Sequence, residues 1–461
     1  MKLVAAHCRG LCLLILLAGF IGVPLAAHGE EREPIKFPDT QYEPIEWSGL
    51  DGWDNDDHAA AFATFLASCR TLDAKRRPGH ELTAIPVALK DICGRARAAI
   101  PLDEDGAKQF FEDNFQPLRI NKLGDTDGFL TGYYEPIIAG SRVPTGEFTT
   151  PLYRRPPNLV ASGRRKLGPD AFPSKGVFVG RRFGRRKIVP YYTRAEIEDG
   201  ALDGWHLEIC WLHDAVDVLF AQIQGSARIR LEDGTILRVN YDSHNGWPYT
   251  PVGRVLVDQK IMTRDQVSMQ SIRDWMEANP DLANDVRRQN KSYVFFRITD
   301  LATEDEAVGG EGVQLVPGRS IAIDRALHAY GTPFFIQADL PIANAKAATK
   351  FDRLVIAQDT GSAIVGPARA DIYFGAGDEA ARIAGRIKNS GDFVMLLPRE
   401  LDPVAAGRDM PLPPERPGMF SFNFGTMEDP TVPEGVPLPE AKPAVAPAPE
   451  PKPKAKTRSK R

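Results

Sequence analysis

The sequence predicts a mainly β protein with a helical part at its N-terminal end, and two textures of the 461-residue chain lead to this prediction. Apolar residues recur at helical spacing from His58 to Leu72 and again at Phe110, Phe111 and Phe115. After Gly128, short apolar or aromatic runs alternate with glycine and proline. Because 43% of the residues are hydrophobic, a chain of this length can fill two ordinary cores, and we expect two structured domains.

The first 29 residues are typical of an export signal. Lys2 and Arg9 precede an apolar run from Leu11 to Leu25, and small residues follow that run. The run is too short for a transmembrane helix with polar flanks, although an uncleaved anchor stays open. Lipid attachment requires a cysteine directly after a small-residue pair at the end of the run, and neither Cys8 nor Cys12 stands there.

Removal of the signal leaves Cys69, Cys93 and Cys210. An odd number of cysteines in an oxidising compartment leaves one thiol unpaired. Cys69 and Cys93 lie in adjacent helical segments and are the candidate disulfide. The alternative is three buried cysteines that act as small hydrophobic residues.

The helical part is followed by runs typical of strands, by a helical interlude from Gln266 to about Val286 that Asn279-Pro280 interrupts, and by further runs that predict a small closed barrel with one helix near Asp378. The Asp233-Gly234 pair between two runs predicts a hairpin. The runs predicted as strands are Phe129 to Tyr134, Gly176 to Val179, Val218 to Ile223, Ile229 to Val239, Ser320 to Ile323, Thr332 to Gln337, Leu354 to Gln358 and Phe393 to Leu397.

Residues 431–461 are mostly proline, alanine and lysine, and we expect them to be disordered because they have too few large apolar groups to repay ordering. From Lys442 onward there are seven lysines or arginines against one glutamate. This basic end is suited to loose attachment near anionic polymer or lipid headgroups, or it only keeps the chain solvated. The formal charge of the whole chain is only -4, which argues against nucleic acid as a partner. We expect no metal and no cofactor, because no metal-ligand spacing and no phosphate-binding glycine loop is evident.

The clearest chemical signal is the apolar strand from Leu354 that runs into Asp359-Thr-Gly361-Ser362. A carboxylate is thereby delivered at a strand end, and Gly361 permits a tight turn that exposes it. One interpretation is an aspartic protease, in which two such carboxylates share one proton. A single-chain protease of that kind needs a second Asp-Thr-Gly or Asp-Ser-Gly segment, and the sequence contains none.

The other interpretation includes Asp371-Ile-Tyr-Phe-Gly-Ala-Gly377, twelve residues further on. Together with Asp359 this segment resembles the three-Asp barrel domain of the lytic murein transglycosylase A family, with Asp324 as the upstream acid. Further segments that correspond to the family are Gly128-Phe-Leu-Thr-Gly-Tyr-Tyr-Glu-Pro136, Gln222-Ile-Gln-Gly-Ser-Ala-Arg228, Asn245-Gly-Trp-Pro-Tyr249, Gln270-Ser-Ile-Arg-Asp-Trp275 and Asn290-Lys-Ser-Tyr-Val-Phe-Phe296. The resemblance thus covers roughly residues 128–397.

The resemblance implies a six-stranded double-psi β-barrel in a domain that is split in sequence. Residues 38–138 and 290–430 would form this domain, and residues 139–289 would form a second β-domain inserted into it, with a groove between the two. Two consecutive domains remain the alternative, because periodicity alone does not distinguish them.

The resemblance also implies a lyase that cleaves the β-1,4 bond between N-acetylmuramic acid and N-acetylglucosamine in peptidoglycan and forms a 1,6-anhydro sugar. Asp359 would be the single general acid and then the base, since the C6 hydroxyl of the substrate is the nucleophile. Asp371 and Asp324 are candidate neighbours that raise the pKa of Asp359. The alternative for both is a structural role, such as capping a turn or pairing with Arg325 or Arg369.

Sugar binding combines aromatic faces with hydrogen-bonding side chains. The aromatic candidates are Tyr133, Tyr134 and Tyr293, and the polar ones are Thr131, Glu135, Gln224 and Ser226, with Gly361 and Ser362 in the acidic loop. For the tyrosines, packing in the core is the alternative, and for Gln224 to Ser226, on a predicted open strand, a bulge without a ligand. The chain departs from the family in lacking a lipid-attachment cysteine and in having Ser362 where glycine is frequent.

The expected partners are therefore peptidoglycan glycan strands, with wall-assembly or division proteins as further candidates, and the protein is expected to be a monomer. We expect it in the periplasm, soluble or loosely associated with the wall or the outer membrane. A second hypothesis is a non-catalytic peptidoglycan-binding protein on the same barrel, since barrels of this shape also occur in glycan-binding modules.

Overall fold

The computed structural model describes residues 35–37, 40–72, 84–163, 173–174, 177–184, 187–344 and 347–401. The predicted export signal and the predicted Pro/Ala/Lys-rich tail lie outside these residues. Within these ranges, no helix has the length and apolar character needed to cross a bilayer.

The helices in chain order are α1 (His58–Leu72), α2 (Ala84–Ala99), α3 (Glu104–Asn114), α4 (Arg194–Glu196), α5 (Ala215–Gln224), α6 (Val252–Asp258), α7 (Met269–Ala278), α8 (Pro280–Gln289) and α9 (Gly377–Ala384). The strands are β1 (Ile35–Phe37), β2 (Thr40–Pro44), β3 (Phe115–Lys122), β4 (Gly128–Glu135), β5 (Ile137–Ser141), β6 (Thr150–Tyr153), β7 (Leu159–Gly163), β8 (Pro173–Ser174), β9 (Val177–Phe183), β10 (Lys187–Pro190), β11 (Glu208–Leu212), β12 (Ser226–Leu231), β13 (Ile236–His244), β14 (Val294–Ile298), β15 (Ser320–Ile323), β16 (Pro333–Asn344), β17 (Ala347–Thr360), β18 (Arg369–Ala376) and β19 (Lys388–Pro398).

The predicted N-terminal helices are present and pack through aromatic rings. Phe62 of α1 meets Phe110 of α3 edge to face, with ring centroids 4.9 Å apart. A disulfide between Cys69 and Cys93 joins α1 to α2, with 5.3 Å between the two Cα atoms. Cys210 is a free, buried thiol in a separate apolar core. The helices share one apolar core with the barrel, so α1 lies directly against β17.

Six strands close into a barrel in the described part of the chain, as the sequence predicts for its last third. The hydrogen-bonded order is β19, β16, β17, β15, β18 and β4, and β4 pairs with β19 to complete the ring. Two neighbouring pairs, β15 with β17 and β4 with β18, run parallel. Strand β3 bonds to the free edge of β19 and leads through β2 to β1. The parallel pairs matter for the site because they bring strand ends from distant parts of the sequence together.

A second sheet is built from residues between the first and second strands of the barrel. Its order is β14, β13, β12, β5, β11 and β6. Strand β5 begins at Ile137, immediately after β4, and β14 runs to Ile298. The excursion from the barrel thus extends beyond the predicted limits of 139 and 289 at both ends. A smaller sheet of β7, β8, β9 and β10 accompanies it.

The segment Val218 to Ile223, predicted as a strand, is instead part of helix α5, and that prediction was wrong. Two end signals define the helix: the Asp214 carboxylate accepts hydrogen bonds from Val216 N and Asp217 N, and Gly225 ends the helix with a left-handed φ of 82°. One face of α5 packs against α6, α7 and α8. The short apolar run has no periodicity that separates a strand from a buried helix, so only the caps reveal it.

Other local predictions are confirmed. The Asp233-Gly234 turn joins β12 and β13 in an antiparallel hairpin. The helical interlude consists of α7 and α8, divided at Asn279, and α9 begins next to Asp378. The fold is therefore mainly β, with helices at the N-terminal end and beside the second sheet.

Candidate active site

Asp359 lies at the end of β17, where that strand leaves the barrel. Strand β15 runs parallel beside it, with Ala322 opposite Asp359. The next residue, Thr360, donates its hydroxyl to the Ile323 carbonyl oxygen at 2.9 Å, which fixes the strand end. The predicted turn at Gly361 forms, since Ile364 N donates to the Gly361 carbonyl oxygen at 3.1 Å, although this glycine does not adopt a positive φ. Asp359 is partly exposed as a result.

Among the described residues, three groups donate hydrogen bonds to the Asp359 carboxylate. Tyr133 Oη donates to Oδ2 at 2.8 Å, and the backbone N–H groups of Gly310 and Thr360 donate to Oδ1 at 2.7 and 2.8 Å. Burial raises the pKa of Asp359, while these three hydrogen bonds act in the opposite direction. The site thus favours the protonated form through burial and yet offers ready partners to the carboxylate.

The Gly310 donor comes from a loop that drew no prediction from the sequence. This loop, residues 307–315, is closed by hydrogen bonds from Gly309 N to the Val313 carbonyl oxygen and from Leu315 N to the Ala307 carbonyl oxygen. The Gly309-Gly310 pair was the available signal, because adjacent glycines mark close approach of the backbone to another group.

Asp371 lies on β18, which β15 separates from β17, and it takes part in a short chain of hydrogen bonds. Arg369 Nη2 donates to Thr131 Oγ1 at 2.7 Å, and Thr131 Oγ1 donates to Asp371 Oδ1 at 2.7 Å. Burial raises the pKa of Asp371; Arg369 and the Thr131 hydroxyl lower it, and the charge of Asp359 raises it. The pairing with Arg369, which was the structural alternative for Asp371, is thus present, and the predicted effect of Asp371 on the pKa of Asp359 stays a prediction.

Asp324 accepts a hydrogen bond from the loop that follows Asp359. Its Oδ1 accepts a hydrogen bond from Ala326 N at 2.9 Å, and its Oδ2 accepts one from Gly366 N at 3.0 Å. The side chain is buried. These contacts are those of a residue that caps a turn and ties it to residues 361–368, which was the structural alternative for this acid.

The two tyrosines of β4 point to opposite sides, as neighbours in a strand do. Tyr133 faces the barrel, where its ring centroid lies 5.2 Å from that of Tyr373. Burial raises the pKa of Tyr134, and Arg273 of α7 lowers it, so this side chain faces the helices of the second sheet. The backbone N–H of Tyr134 donates to Gln224 Oε1 at 3.0 Å.

Glu135, expected to be a polar contact for sugar, lies instead in a buried ion pair. Its Oε2 accepts a hydrogen bond from Arg228 Nε at 2.7 Å, and both of its carboxylate oxygens accept from Arg238 Nη2, at 3.0 and 3.1 Å. Both arginines belong to the hairpin of β12 and β13. Because the carboxylate is taken up by two guanidinium groups, Glu135 joins the barrel strand to the second sheet.

The remaining sugar-binding candidates differ in their exposure. Tyr293 is only 3% exposed, with its ring centroid 5.4 Å from that of Phe295, and it is a core residue of the second sheet. Gln224 ends helix α5, and Ser226 is buried at the start of β12, so the open polar strand predicted there does not exist. Ser362 is exposed in the loop after Asp359. Phe129, which the sequence did not single out, is 46% exposed at the start of β4, beside the Arg369 guanidinium.

Two family models and several known proteins are similar to this chain. Residues 129–297 match the family described as the MltA specific insert domain, and residues 319–397 match the 3D domain. The membrane-bound lytic murein transglycosylase A of Vibrio cholerae is 31% identical over 300 residues, which cover 64% of this chain and 71% of that protein.

Solved structures are similar as well. The crystal structure of a membrane-bound lytic murein transglycosylase from Agrobacterium tumefaciens has a TM-score of 0.69 at 34% identity, over 80% of this chain and 99% of that one. The structure of E. coli MltA with bound chitohexaose has a TM-score of 0.53 at 25% identity, over 79% of this chain and 93% of that one.

Proposed function

This chain belongs to the family of membrane-bound lytic murein transglycosylases A, and from that membership we propose that it cleaves the glycan strands of peptidoglycan without water, with Asp359 as the single acid and base. The observation that carries the role of Asp359 is its environment. A partly exposed carboxyl group at a strand end accepts hydrogen bonds from neutral donors in the described part of the chain, while burial raises its pKa. This is the environment that a general acid needs near neutral pH.

The reaction begins with a proton on Asp359. That proton passes to the oxygen of the bond between N-acetylmuramic acid and N-acetylglucosamine, and the bond from C1 to this oxygen breaks. The C6 hydroxyl oxygen of the same muramic acid then bonds to C1, and its proton passes to the Asp359 carboxylate. The products are a free 4-hydroxyl group and a 1,6-anhydro ring, and the enzyme regains its starting proton. One carboxyl group suffices because the nucleophile is part of the substrate.

The hydrogen bonds to Asp359 support both halves of this cycle. Burial disfavours the charged form and so makes the group a proton donor at the start. After the proton has left, Tyr133 Oη, Gly310 N and Thr360 N stabilise the carboxylate until it takes the second proton. Asp359 also acts on its neighbour, since its charge raises the pKa of Asp371.

The substrate contacts belong to the same proposal. A relative from E. coli has been crystallised with chitohexaose, an oligosaccharide of N-acetylglucosamine, which supports a glycan ligand for this chain. Ser362, exposed in the loop after Asp359, and Phe129, exposed beside Arg369, are the side chains best suited to contact it, and Thr131 and Tyr134 are further candidates. Glu135 and Tyr293 are assigned to the structure of the protein.

Relatives are named membrane-bound, which supports a place in the cell envelope. We propose the periplasm, with the protein soluble or loosely attached to the wall or the outer membrane. Cell fractionation tests this: salt washing should release the protein from membranes. Release by detergent alone would contradict loose attachment.

The test of the reaction is mass spectrometry of the muropeptides that the purified protein releases from peptidoglycan sacculi. Wild type should release 1,6-anhydro products, and Asp359→Asn should reduce that release by about a thousandfold, within the range for loss of a general acid. Asp352→Asn, on the same strand, is the matched control and should behave as wild type.

Other outcomes separate the alternatives. Equal release by wild type and Asp359→Asn would refute the role of Asp359. Hydrated reducing ends would indicate a hydrolase. A wild-type protein that binds sacculi and releases nothing would be the binding module of the second hypothesis.

A further inference from the structure

The loop that supplies Gly310 to Asp359 is held on two sides. On one side it bonds to β17, since Glu311 N donates to the Gln358 carbonyl oxygen at 3.0 Å. On the other side the Glu311 side chain reaches α1, where its Oε2 lies 2.7 Å from Ser68 Oγ and its Oε1 lies 2.9 Å from Thr71 Oγ1. Within the described loop, the Glu311 side chain thus connects the Gly310 donor to helix α1.

Ser68 is shared between Glu311 and the residue that precedes Asp359. Gln358 Nε2 donates to Ser68 Oγ at 2.9 Å and also to the Thr64 carbonyl oxygen at 2.9 Å. Because a carbonyl oxygen only accepts, the second bond fixes the orientation of the amide. Ser68 Oγ therefore accepts from Gln358, and its own proton goes to Glu311 Oε2.

The protons around Thr71 do not suffice if Glu311 is charged. Thr71 Oγ1 lies 2.8 Å from the Ser68 carbonyl oxygen and 2.9 Å from Glu311 Oε1, and both can act as acceptors. The hydroxyl has a single proton to donate. If that proton goes to the carbonyl, Glu311 Oε1 must carry a proton of its own and donate it to Thr71. A neutral carboxylic acid therefore fills both short contacts of Thr71 Oγ1, whereas a carboxylate fills only one of them.

The surroundings of Glu311 agree with a neutral acid. Burial raises the pKa of Glu311, while the hydroxyls of Ser68 and Thr71 and the charge of Arg325 lower it. Tyr330, which also interacts with Glu311, packs under the Arg325 guanidinium at 4.0 Å from its ring centroid.

We propose that Glu311 is a positioning residue for the reaction: as a neutral acid it fastens residues 309–312 to helix α1 and thereby holds the Gly310 N–H against Asp359. This inference rests on the proposed function of Asp359. The N-terminal helical part thereby contributes to the proton transfer. It does so indirectly, because the described donors to the Asp359 carboxylate are Tyr133, Gly310 and Thr360, which lie outside that part.

The position of Gly310 shows how narrow the tolerance is. A Cβ atom there would lie 2.5 Å from Tyr330 Oη and 3.2 Å from Asp359 Oδ1, so a larger residue would have to displace these side chains. The Gly310 hydrogen bond lowers the pKa of Asp359 against the effect of burial. If the loop moves away, Asp359 holds its proton more tightly and is a weaker acid.

The test compares kcat/KM as a function of pH for wild type, Glu311→Ala and Glu311→Gln, on glycan strands prepared from sacculi. Glu311→Ala should lower kcat/KM about tenfold, as expected if the Gly310 N–H no longer bonds to the charged Asp359 carboxylate. It should also move the alkaline limb of the pH profile to higher pH. Glu311→Gln offers an amide N–H to Thr71 and a carbonyl oxygen to Ser68, as the neutral acid does. It should stay within about twofold of wild type and keep the limb in place.

Thr71→Val tests the same link from the helix and retains the shape of the side chain. It should lower kcat/KM by about threefold, and it should add little to Glu311→Ala, because both changes break one contact. Glu147→Ala, an exposed carboxylate between β5 and β6, is the control and should match wild type. If Glu311→Ala does not fold, Thr71→Val decides the question alone.

Two results would overturn the inference. One is a Glu311→Ala or Thr71→Val protein with the rate and the alkaline limb of wild type. The other is a Glu311→Gln protein as impaired as Glu311→Ala, which would mean that the charge of Glu311 matters. Asp359→Asn, measured in parallel, keeps the two proposals apart: if it stays active, the function of Asp359 fails first, whereas an inactive Asp359→Asn beside an unaffected Glu311→Ala refutes only the role of Glu311.

Discussion

Strand β4 leads to two carboxyl groups, the buried Glu135 and the partly exposed Asp359, whose partners differ. Tyr133 touches Asp359, and two residues later Glu135 is held by Arg228 and Arg238. At Glu135 two guanidinium groups pair with the carboxyl group. At Asp359 the donors in the described chain are neutral, and burial raises the pKa. The contrast teaches that the partners of a carboxyl group decide which role it can take, an ion pair in one place and proton exchange in the other.

The largest effect should come from breaking the Glu135 ion pair. Glu135→Ala leaves the buried Arg238 without its anion and leaves Arg228 with Glu306 at 3.8 Å, and we expect a loss of about 3 kcal/mol in the free energy of unfolding. Chemical denaturation measures it, with the exposed Glu147→Ala as the control. A loss below about 1 kcal/mol would show that the two carboxyl groups differ less than the contacts suggest.

Removing a neutral donor at the other acid should change activity more than stability. Tyr133→Phe takes away the hydroxyl that bonds to Asp359 Oδ2, so the pKa of Asp359 should rise and kcat/KM should fall about tenfold, with the alkaline limb moved to higher pH. Tyr373→Phe is the matched control, because its ring packs beside Tyr133 but its hydroxyl donates to Glu306. An equal loss in both variants would point to general repacking of the barrel.

The smallest effect has the opposite sign from the first. A group whose pKa is raised on folding contributes stability that is present below its unfolded pKa and is lost as pH rises through the folded pKa. Asp359 is such a group, so Asp359→Asn should be slightly more stable than wild type at neutral pH, and this difference should vanish in acid. Thermal unfolding at several pH values measures it. The stability of Asp359→Asn should still change with pH, because the pKa of Asp371 is raised as well.

The parts of this protein that the sequence predicted are those encoded locally. The end of β17 at Asp359, the hairpin at Asp233-Gly234 and the helix from His58 to Leu72 each have their signals within a few residues. The family resemblance supplied the split barrel, which no local pattern reveals.

What the sequence did not reveal depends on distant partners. Glu135 has the same polar side chain whether it faces solvent or Arg238, which lies 103 residues away. Gly310 reaches Asp359 over 49 residues, and Ser68 reaches Glu311 over 243. Tyr293 fits a strand that binds sugar as well as it fits one that packs, and only the neighbouring Phe295 and Tyr153 decide between the two.

The placement of the second sheet inside the barrel's sequence also sets an order of assembly. All strands of that sheet lie before Ile298, whereas β4 must wait for β18 and β19, which begin at Arg369 and Lys388. In a chain that becomes available for folding from its N-terminus, the second sheet can fold while the barrel is still incomplete. Asp371 can reach Thr131 only once β18 has been added, and β19 then closes the ring.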